Sequence, residues 1–344
     1  MSQLMLVLLT VLVTRSLSFQ LSTGASFRQS PSCKLSAGAD DDHQEEIGCS
    51  RRGLLSLAPA AMLGCGTLMA GNNMAWAATS TPSTWGATPD RPVAILGAYG
   101  RTGREVALAL AKEGIYAVTM TRTGKDPYQK AKLPEDIKEH LAHYPNPVNV
   151  VDLDGLQEAL IKMKASAIIF CASASAPGGT AFDVDDKGVG NAALAAKKLD
   201  ARLVVVSALG VDRPDSKGFK MTNTIGGNFN GIMDAKRNGE EKVRATLIGS
   251  KDYVIVRPGP LLSAKSKGPS SIQINQGDTI GGGISRDELA GVAVGALVSG
   301  KRGVTVEVYR TYSATPLQPN FSIPSGREAT SETYKGLFDG VRSD

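Results

Sequence analysis

Residues 92–122 read PVAILGAYGRTGREVALALAKEGIYAVTMTR. VAILG is a short apolar run, the pattern of a buried strand. Gly97, Gly100 and Gly103 follow at G-x-x-G-x-x-G spacing, and REVALALAKEG repeats apolar residues at helical period until Gly114 closes it. YAVTMTR reads as a second strand ending in Arg122. Strand, glycine turn, helix, strand is how a doubly wound parallel sheet begins. In such a turn the first glycine permits the sharp bend. The second removes a side chain where a pyrophosphate approaches, and the third lets helix and strand pack closely. The free N–H groups and positive dipole of the helix start complete an anion site. The turn, with Tyr99, Arg101 and Thr102 between its glycines, is therefore expected to hold a dinucleotide. A glycine turn without a ligand is the competing reading, and it fits the strand-to-helix setting less well.

The end of the second strand decides the nucleotide. An NAD site places Asp or Glu about twenty residues after the glycines to bind the ribose hydroxyls. Here Arg122 stands there, with Lys125 nearby and no acid. A guanidinium pairs with a 2′-phosphate through its planar fork, and Arg101 and Arg104 add positive charge within the turn. The expected cofactor is NADP(H). The alternative for Arg122 is a solvated charge at a strand end.

The same alternation continues. VNVVDLDGLQEALIKM (148–163) reads as a third strand and a helix, and ASAIIFCASASAPGG (165–179) as a fourth strand and a small-residue loop. ALAAKKLDARLVVVSALGVD (193–212) and GEEKVRATLIGSKDYVIVRPGPLL (239–262) each read as a helix and a strand. SRDELAGVAVGALVSGKRGVTVEVY (285–309) supplies the last helix and strand. The expected fold is α/β: a single-domain, doubly wound parallel-sheet NAD(P)-binding Rossmann fold over residues 91–312. Hydrophobic residues at 42% and charged residues at 21% suit a globular domain. The net charge of +5, with no dense basic block, argues against a nucleic-acid partner.

The first 77 residues read as addresses. LMLVLLTVLV (4–13) is too short to span a bilayer and fits the h-region of a signal peptide over residues 1–18, with cleavage after Ser18. Phe19 would then lead, which resembles the bipartite plastid leaders of algae with complex plastids. Residues 19–50 read as a chloroplast transit segment, because residues 19–39 are rich in Ser and basic, although DDDHQEE breaks the acid-poor rule. Arg51-Arg52, a weakly apolar run and Ala75-Trp76-Ala77 look like a twin-arginine signal over residues 51–77, and so point to the thylakoid lumen. If residues 54–70 are instead an ordinary helix, the stroma is the destination. Cys33, Cys49 and Cys65 leave with these leaders, so Cys171 is the one cysteine of the mature chain. It is expected to be a small buried hydrophobe. Residues 78–90 read as a linker, and no integral membrane span is expected in the mature chain.

GAYGRTGR (97–104), VVDLDG (150–155), VVVSALG (204–210), DAKRNGEEKVRAT (234–246), YVIVRPGPLL (253–262) and ISRDELAGVAVGAL (284–297) together resemble the atypical short-chain dehydrogenase/reductase group, the NmrA-like and plastid NAD(P)-binding proteins. In active short-chain reductases a serine follows the fifth strand, and a tyrosine and a lysine lie four apart on the next helix. The resemblance places the serine at Ser207 and the lysine at Lys236. Ile232 stands where the proton-donating tyrosine belongs. A side chain without an acidic proton is no general acid. The resemblance also implies that Ala172 and Ser173 meet the nicotinamide ribose and that Asp152 lies near adenine; a helix N-cap is the other reading of Asp152. Lys236 would bind ribose hydroxyls, or else be a solvated helix lysine. Ser207 would position a carbonyl, or else cap a strand end.

Residues 259–283, rich in Gly, Ser and Lys without a hydrophobic period, read as a mobile substrate lid or partner surface. Residues 313–344 read as a loose tail. His140 and His143 show no third ligand, so no metal site is expected. Two function classes remain. One is an NADPH-dependent oxidoreductase acting on a carbonyl, enone or quinone-like small molecule. The other is a non-catalytic NADP-binding redox sensor or assembly factor of a photosynthetic complex. Ser207 with Lys236 favours the first, and the missing tyrosine favours the second.

Overall fold

Strands whose alternate side chains are all apolar must be covered on both faces, and the sheet here is built that way. The computed structural model describes residue 85 and residues 88–318, 321–323 and 331–344. The three leader segments and most of the linker lie outside the described residues. The chain runs through β1 (Val93–Leu96), α1 (Arg101–Lys112), β2 (Ala117–Met120), α2 (Glu135–Lys138), β3 (Leu141–His143), α3 (Leu153–Lys162) and β4 (Ala167–Phe170). A π-helical segment, Phe182–Gly188, continues as α4 (Val189–Leu199) and leads to β5 (Arg202–Val206). Then come α5 (Lys217–Asn223), α6 (Ile232–Thr246), β6 (Tyr253–Pro258) and β7 (Leu261–Leu262). The last elements are β8 (Ile272–Asn275), β9 (Ile280–Gly281), β10 (Ile284–Ser285), α7 (Arg286–Val298), β11 (Val304–Arg310) and β12 (Thr315–Pro316).

Eight strands form one sheet in the order β3-β2-β1-β4-β5-β6-β11-β8. All neighbours are parallel except β8, which pairs antiparallel with β11. Val93 and Ile95 face a core layer that includes residues of α1 and α7, whereas Ala94 and Leu96 face one that includes residues of α3, α4 and α6. This is the expected doubly wound α/β fold. Its strand order reverses between β1 and β4, where such sheets open a crevice at their carboxyl edge.

Three expectations need correction. The third strand is Leu141–His143, pairing with β2, and not the run that starts at Val148. Val148 and Val150 are buried side chains on an irregular path into α3. Their apolar content reflects core contact without a ladder. His143 sits within that short strand, its Nε2 2.9 Å from the Gly124 carbonyl oxygen and its Nδ1 3.0 Å from that of Thr119. Among the described residues no group of three ligating side chains could hold a metal.

Residues 259–283 are not a mobile lid throughout. Ile272–Asn275 forms the edge strand β8, with Ile272 fully buried. The backbone N–H groups of Ser266 and Lys267 donate to Asp287 and Glu288 at 2.9 Å. The tail is not loose over residues 331–344 either. Tyr334, Phe338 and Val341 join the core under α7. Gly291 and Gly295, one turn apart on α7, make the socket: a Cβ at Gly291 would lie 2.3 Å from the Tyr334 ring, and one at Gly295 2.4 Å from its carbonyl oxygen. The side chain of Asp344 then accepts from the Thr305 backbone N–H at 2.9 Å and from its hydroxyl at 2.6 Å.

Candidate nucleotide site

The glycine turn leaves β1 at the reversal point, next to the segment that leaves β4. Gly97 has φ +80°, and a Cβ there would come within 2.6 Å of the backbone N and Cα of Ala172. Gly103 is equally constrained, because its Cβ would lie 2.5 Å from the Gly97 carbonyl oxygen and 2.9 Å from the Ala98 Cα. Gly100 differs. Its φ is −70°, and a Cβ there would meet only the Gly97 carbonyl oxygen, at 3.2 Å. Folding forces the first and third glycines, whereas the space above the second is left open by the protein. Gly100 is also the N-cap of α1 and offers no side-chain cap to its free N–H groups. An open cradle with unmet donors fits a diphosphate.

The charged residues around the turn fall into two groups. Arg104 lies over the exposed Tyr99 ring at 4.9 Å, and its carbonyl accepts a hydrogen bond from Tyr128. Arg104 and Tyr99 thus brace one wall. Arg101 and Arg122 are exposed, and neither has an ion-pair partner among the described residues. Thr102 is half-buried beside them. Asp152 is the N-cap of α3 and accepts from the Gly155 N–H at 3.3 Å; its exposed position at the carboxyl edge leaves one face open.

Across the crevice, Ala172 is half-buried and Ser173 exposed. Ser173 donates from Oγ to Asp185 Oδ1 at 2.8 Å, and the Ala174 N–H donates to Asp185 Oδ2 at 2.8 Å. Lys236 Nζ donates to Asp185 Oδ1 at 2.7 Å. Asp185 is 1% exposed. It sits in the π-helical segment, whose wider turns often mark functional positions. Gly239 lets α6 approach that segment: a Cβ there would lie 2.3 Å from the Asp185 carbonyl oxygen. Lys236 is therefore neither free nor solvated; it is held by a buried carboxylate. Sequence reading missed Asp185, because in FDVDDK three acids stand together and nothing in the pattern marks the inward one.

Ser207 follows β5, the strand beside β4, so it leaves the sheet at the same edge as Ala172 and Ser173. Its N–H donates to the Val256 carbonyl at 2.8 Å, but its buried Oγ has no partner. Ile232 is buried among apolar neighbours, so no acidic proton stands at that helix position. Tyr253 is no substitute. It begins β6, at the opposite edge of the sheet, with its hydroxyl 3.4 Å from Asp344. Cys171 packs against the core, and burial pushes its thiol up to about 12.

Beyond this edge lies a buried charge cluster. Arg257 binds Glu240 at 2.5 Å, Asp212 at 2.6 Å and Glu307 at 3.6 Å. Burial pushes the Glu307 carboxyl up to about 7 and raises that of Asp278 as well. A cleft of about 670 Å³ opens beside Asp212, Arg213, Asp278 and Phe321.

A family model described as NAD(P)H-binding matches residues 97–299, more than half of the chain. The chain belongs to this NAD(P)H-binding family. No curated protein matches the sequence significantly. Among solved structures, the oxidoreductase ylbE from Lactococcus lactis is similar at 16% identity and a TM-score of 0.51, covering 74% of this chain and 99% of that one. A putative NAD-dependent epimerase/dehydratase from Bacillus halodurans is similar at 24% identity and a TM-score of 0.48, covering 64% and 94%. A wide-type short-chain dehydrogenase/reductase from Veillonella parvula, solved in complex with NADP, is similar at 14% identity and a TM-score of 0.48, covering 67% and 99%. The ylbE likeness shows a shared fold. The family match begins at Gly97, the first glycine of the turn.

Proposed function

We propose that the protein is an NADP(H)-dependent reductase of a carbonyl, enone or quinone-like small molecule. One observation carries the reading: the buried Ser207 hydroxyl that no protein group satisfies. Leaving such a group unpaired costs roughly 1–3 kcal/mol. A scaffold gains nothing from that cost, whereas a substrate oxygen reaching the carboxyl edge would remove it. When bound, NADPH supplies a hydride. Arg122 takes the 2′-phosphate, the N–H groups at the start of α1 take the diphosphate, and Lys236 takes the ribose hydroxyls while Asp185 fixes its ammonium. Ser207 orients the substrate oxygen. Water at the open mouth beside Ser173 supplies the proton that Ile232 does not.

The test is NADPH absorbance with a panel of enones, quinones and aldehydes. Loss of absorbance in the parent, at least tenfold slower in Ser207→Ala and Lys236→Ala, supports the reading. Ile232 favours a second reading, an NADP-binding sensor or assembly factor of a photosynthetic complex. Bound NADPH that no acceptor consumes would favour that one. The leader pattern supports a plastid destination, with the thylakoid lumen ahead of the stroma. A C-terminal fluorescent tag followed in cells checks it.

A further inference from the structure

Helices α1 and α7 follow the same rule of construction. Each connects parallel strands and packs on the same sheet face, so the two run side by side and start at the same edge. β10 leads directly into α7 and pairs with β7 just past the end of β6, which fixes that start at the carboxyl edge. The first helical residue of α1 is Arg101, and that of α7 is Arg286.

The local acids are committed elsewhere. Asp287 accepts from the Ser285 hydroxyl and, at 2.9 Å, from the Ser266 N–H. Glu288 is fully buried against Arg310 at 2.6 Å and closes the capping box with Ser285. Arg286 itself has no ion-pair partner among the described residues, and it is half-buried, so it cannot swing freely into solvent. Burial first, and then the charge of Arg101, hold its guanidinium below its ordinary value. The two arginines thus open two packed helices at the same edge, the charge of Arg101 reaches Arg286, and neither has an ion-pair partner among the described residues. Like charges so placed repel unless an anion joins them.

We propose that Arg286 is a phosphate ligand of the nucleotide site, closing with Arg101 over the diphosphate from the α7 side. It rests on the family's nucleotide binding and not on turnover. Arg122 and Arg286 then divide the work: Arg122 reads the 2′-phosphate, and Arg286 holds the diphosphate common to all these nucleotides. The division gives each residue a different signature.

The experiment titrates NADPH, NADH and ADP-ribose into the full chain and its variants by fluorescence or calorimetry. Arg286→Ala should weaken all three by a similar factor, about tenfold, and leave the NADPH/NADH ratio unchanged. Arg122→Ala should collapse that ratio and leave NADH and ADP-ribose as in the parent. Arg286→Lys should recover part of the loss, since it restores the charge without the fork. If Arg286→Ala melts early, Arg286→Gln carries the same comparison. Parent-like affinity for ADP-ribose in a folded Arg286 variant overturns the proposal. A change confined to NADPH also overturns it, because that is the signature of a 2′-phosphate ligand. If the parent binds none of the three, nucleotide binding itself fails, and that outcome is separable because it appears before any substitution.

Discussion

The two edges of the sheet treat polar groups in opposite ways. At the amino edge, Arg202 is a fully buried arginine that begins β5, and the chain meets both terminal nitrogens of its guanidinium, leaving Nε without a hydrogen bond. Asp252 takes Nη1 at 2.7 Å, the Ala296 and Lys301 carbonyls take Nη2 at 2.9 and 2.5 Å, and the Trp85 ring lies over it at 4.8 Å. At the carboxyl edge, Ser207 Oγ is buried without a partner, Gly100 keeps a space open, and Arg101, Arg122 and Arg286 have no ion-pair partner among the described residues. The amino-edge guanidinium is satisfied at both terminal nitrogens, whereas the carboxyl-edge groups that the proposed nucleotide and substrate would meet are left open. That contrast locates the site more sharply than any single motif.

The contrast can be broken at its structural end first. Arg202→Ala should destabilise the protein by about 3–5 kcal/mol, because it strands two carbonyls and leaves Asp252 only its 3.7 Å contact with Arg302, and leave nucleotide affinity in the remaining folded fraction unchanged. Denaturant unfolding with a parallel binding titration checks both. A stability loss below about 1 kcal/mol would mean that the amino edge is no better satisfied than the carboxyl edge.

The glycines sharpen the same comparison on one turn. Gly103→Ala forces its Cβ against backbone and should cost roughly 2–3 kcal/mol of stability. Gly100→Ala meets little protein and should cost less than about 1 kcal/mol, yet it should weaken NADPH at least tenfold. Thermal melts and binding titrations of the pair read the split. Equal stability losses would show that the Gly100 space is a packing requirement and not a ligand cradle.

Glu307 is an intermediate case, buried inside the fold and only partly satisfied. Its carboxyl accepts from the Asp278 N–H and from Asn275, both at 3.0 Å, while its other oxygen lacks a hydrogen bond. Desolvation wins over these bonds and over Arg257, so the folded value is about 7 against an ordinary 4.5. Between those values the folded state holds a proton that the unfolded state has lost. The stability from that proton is full below about 4.5 and is lost as pH rises through about 7. The parent should lose on the order of 2 kcal/mol between pH 5 and 8 from this group, and Glu307→Gln should flatten that slope. A parent slope that survives in Glu307→Gln assigns the titration elsewhere.

What the sequence discloses follows the range of the interactions. The glycine turn and the parallel alternation are written in local spacing, and Arg122 stands where the acid of an NAD site would stand. The docked segment with Tyr334, Phe338 and Val341 is invisible locally, because its socket is cut into a distant helix by Gly291 and Gly295. β3 is three residues long and too short to show a period. Asp185 is singled out only by where the π-helical segment turns it, toward Ser173 and Lys236. Arg286 looks like an ordinary helix-start residue until α1 is laid beside α7.

The most direct test of the open carboxyl edge is a fluorescence titration of the protein with NADPH and with NADH. Enhanced nicotinamide fluorescence, saturating at least tenfold earlier for NADPH than for NADH, is the result predicted from Gly100 and Arg122. A chain that binds neither would contradict the account, and one that prefers NADH would overturn the role given to Arg122.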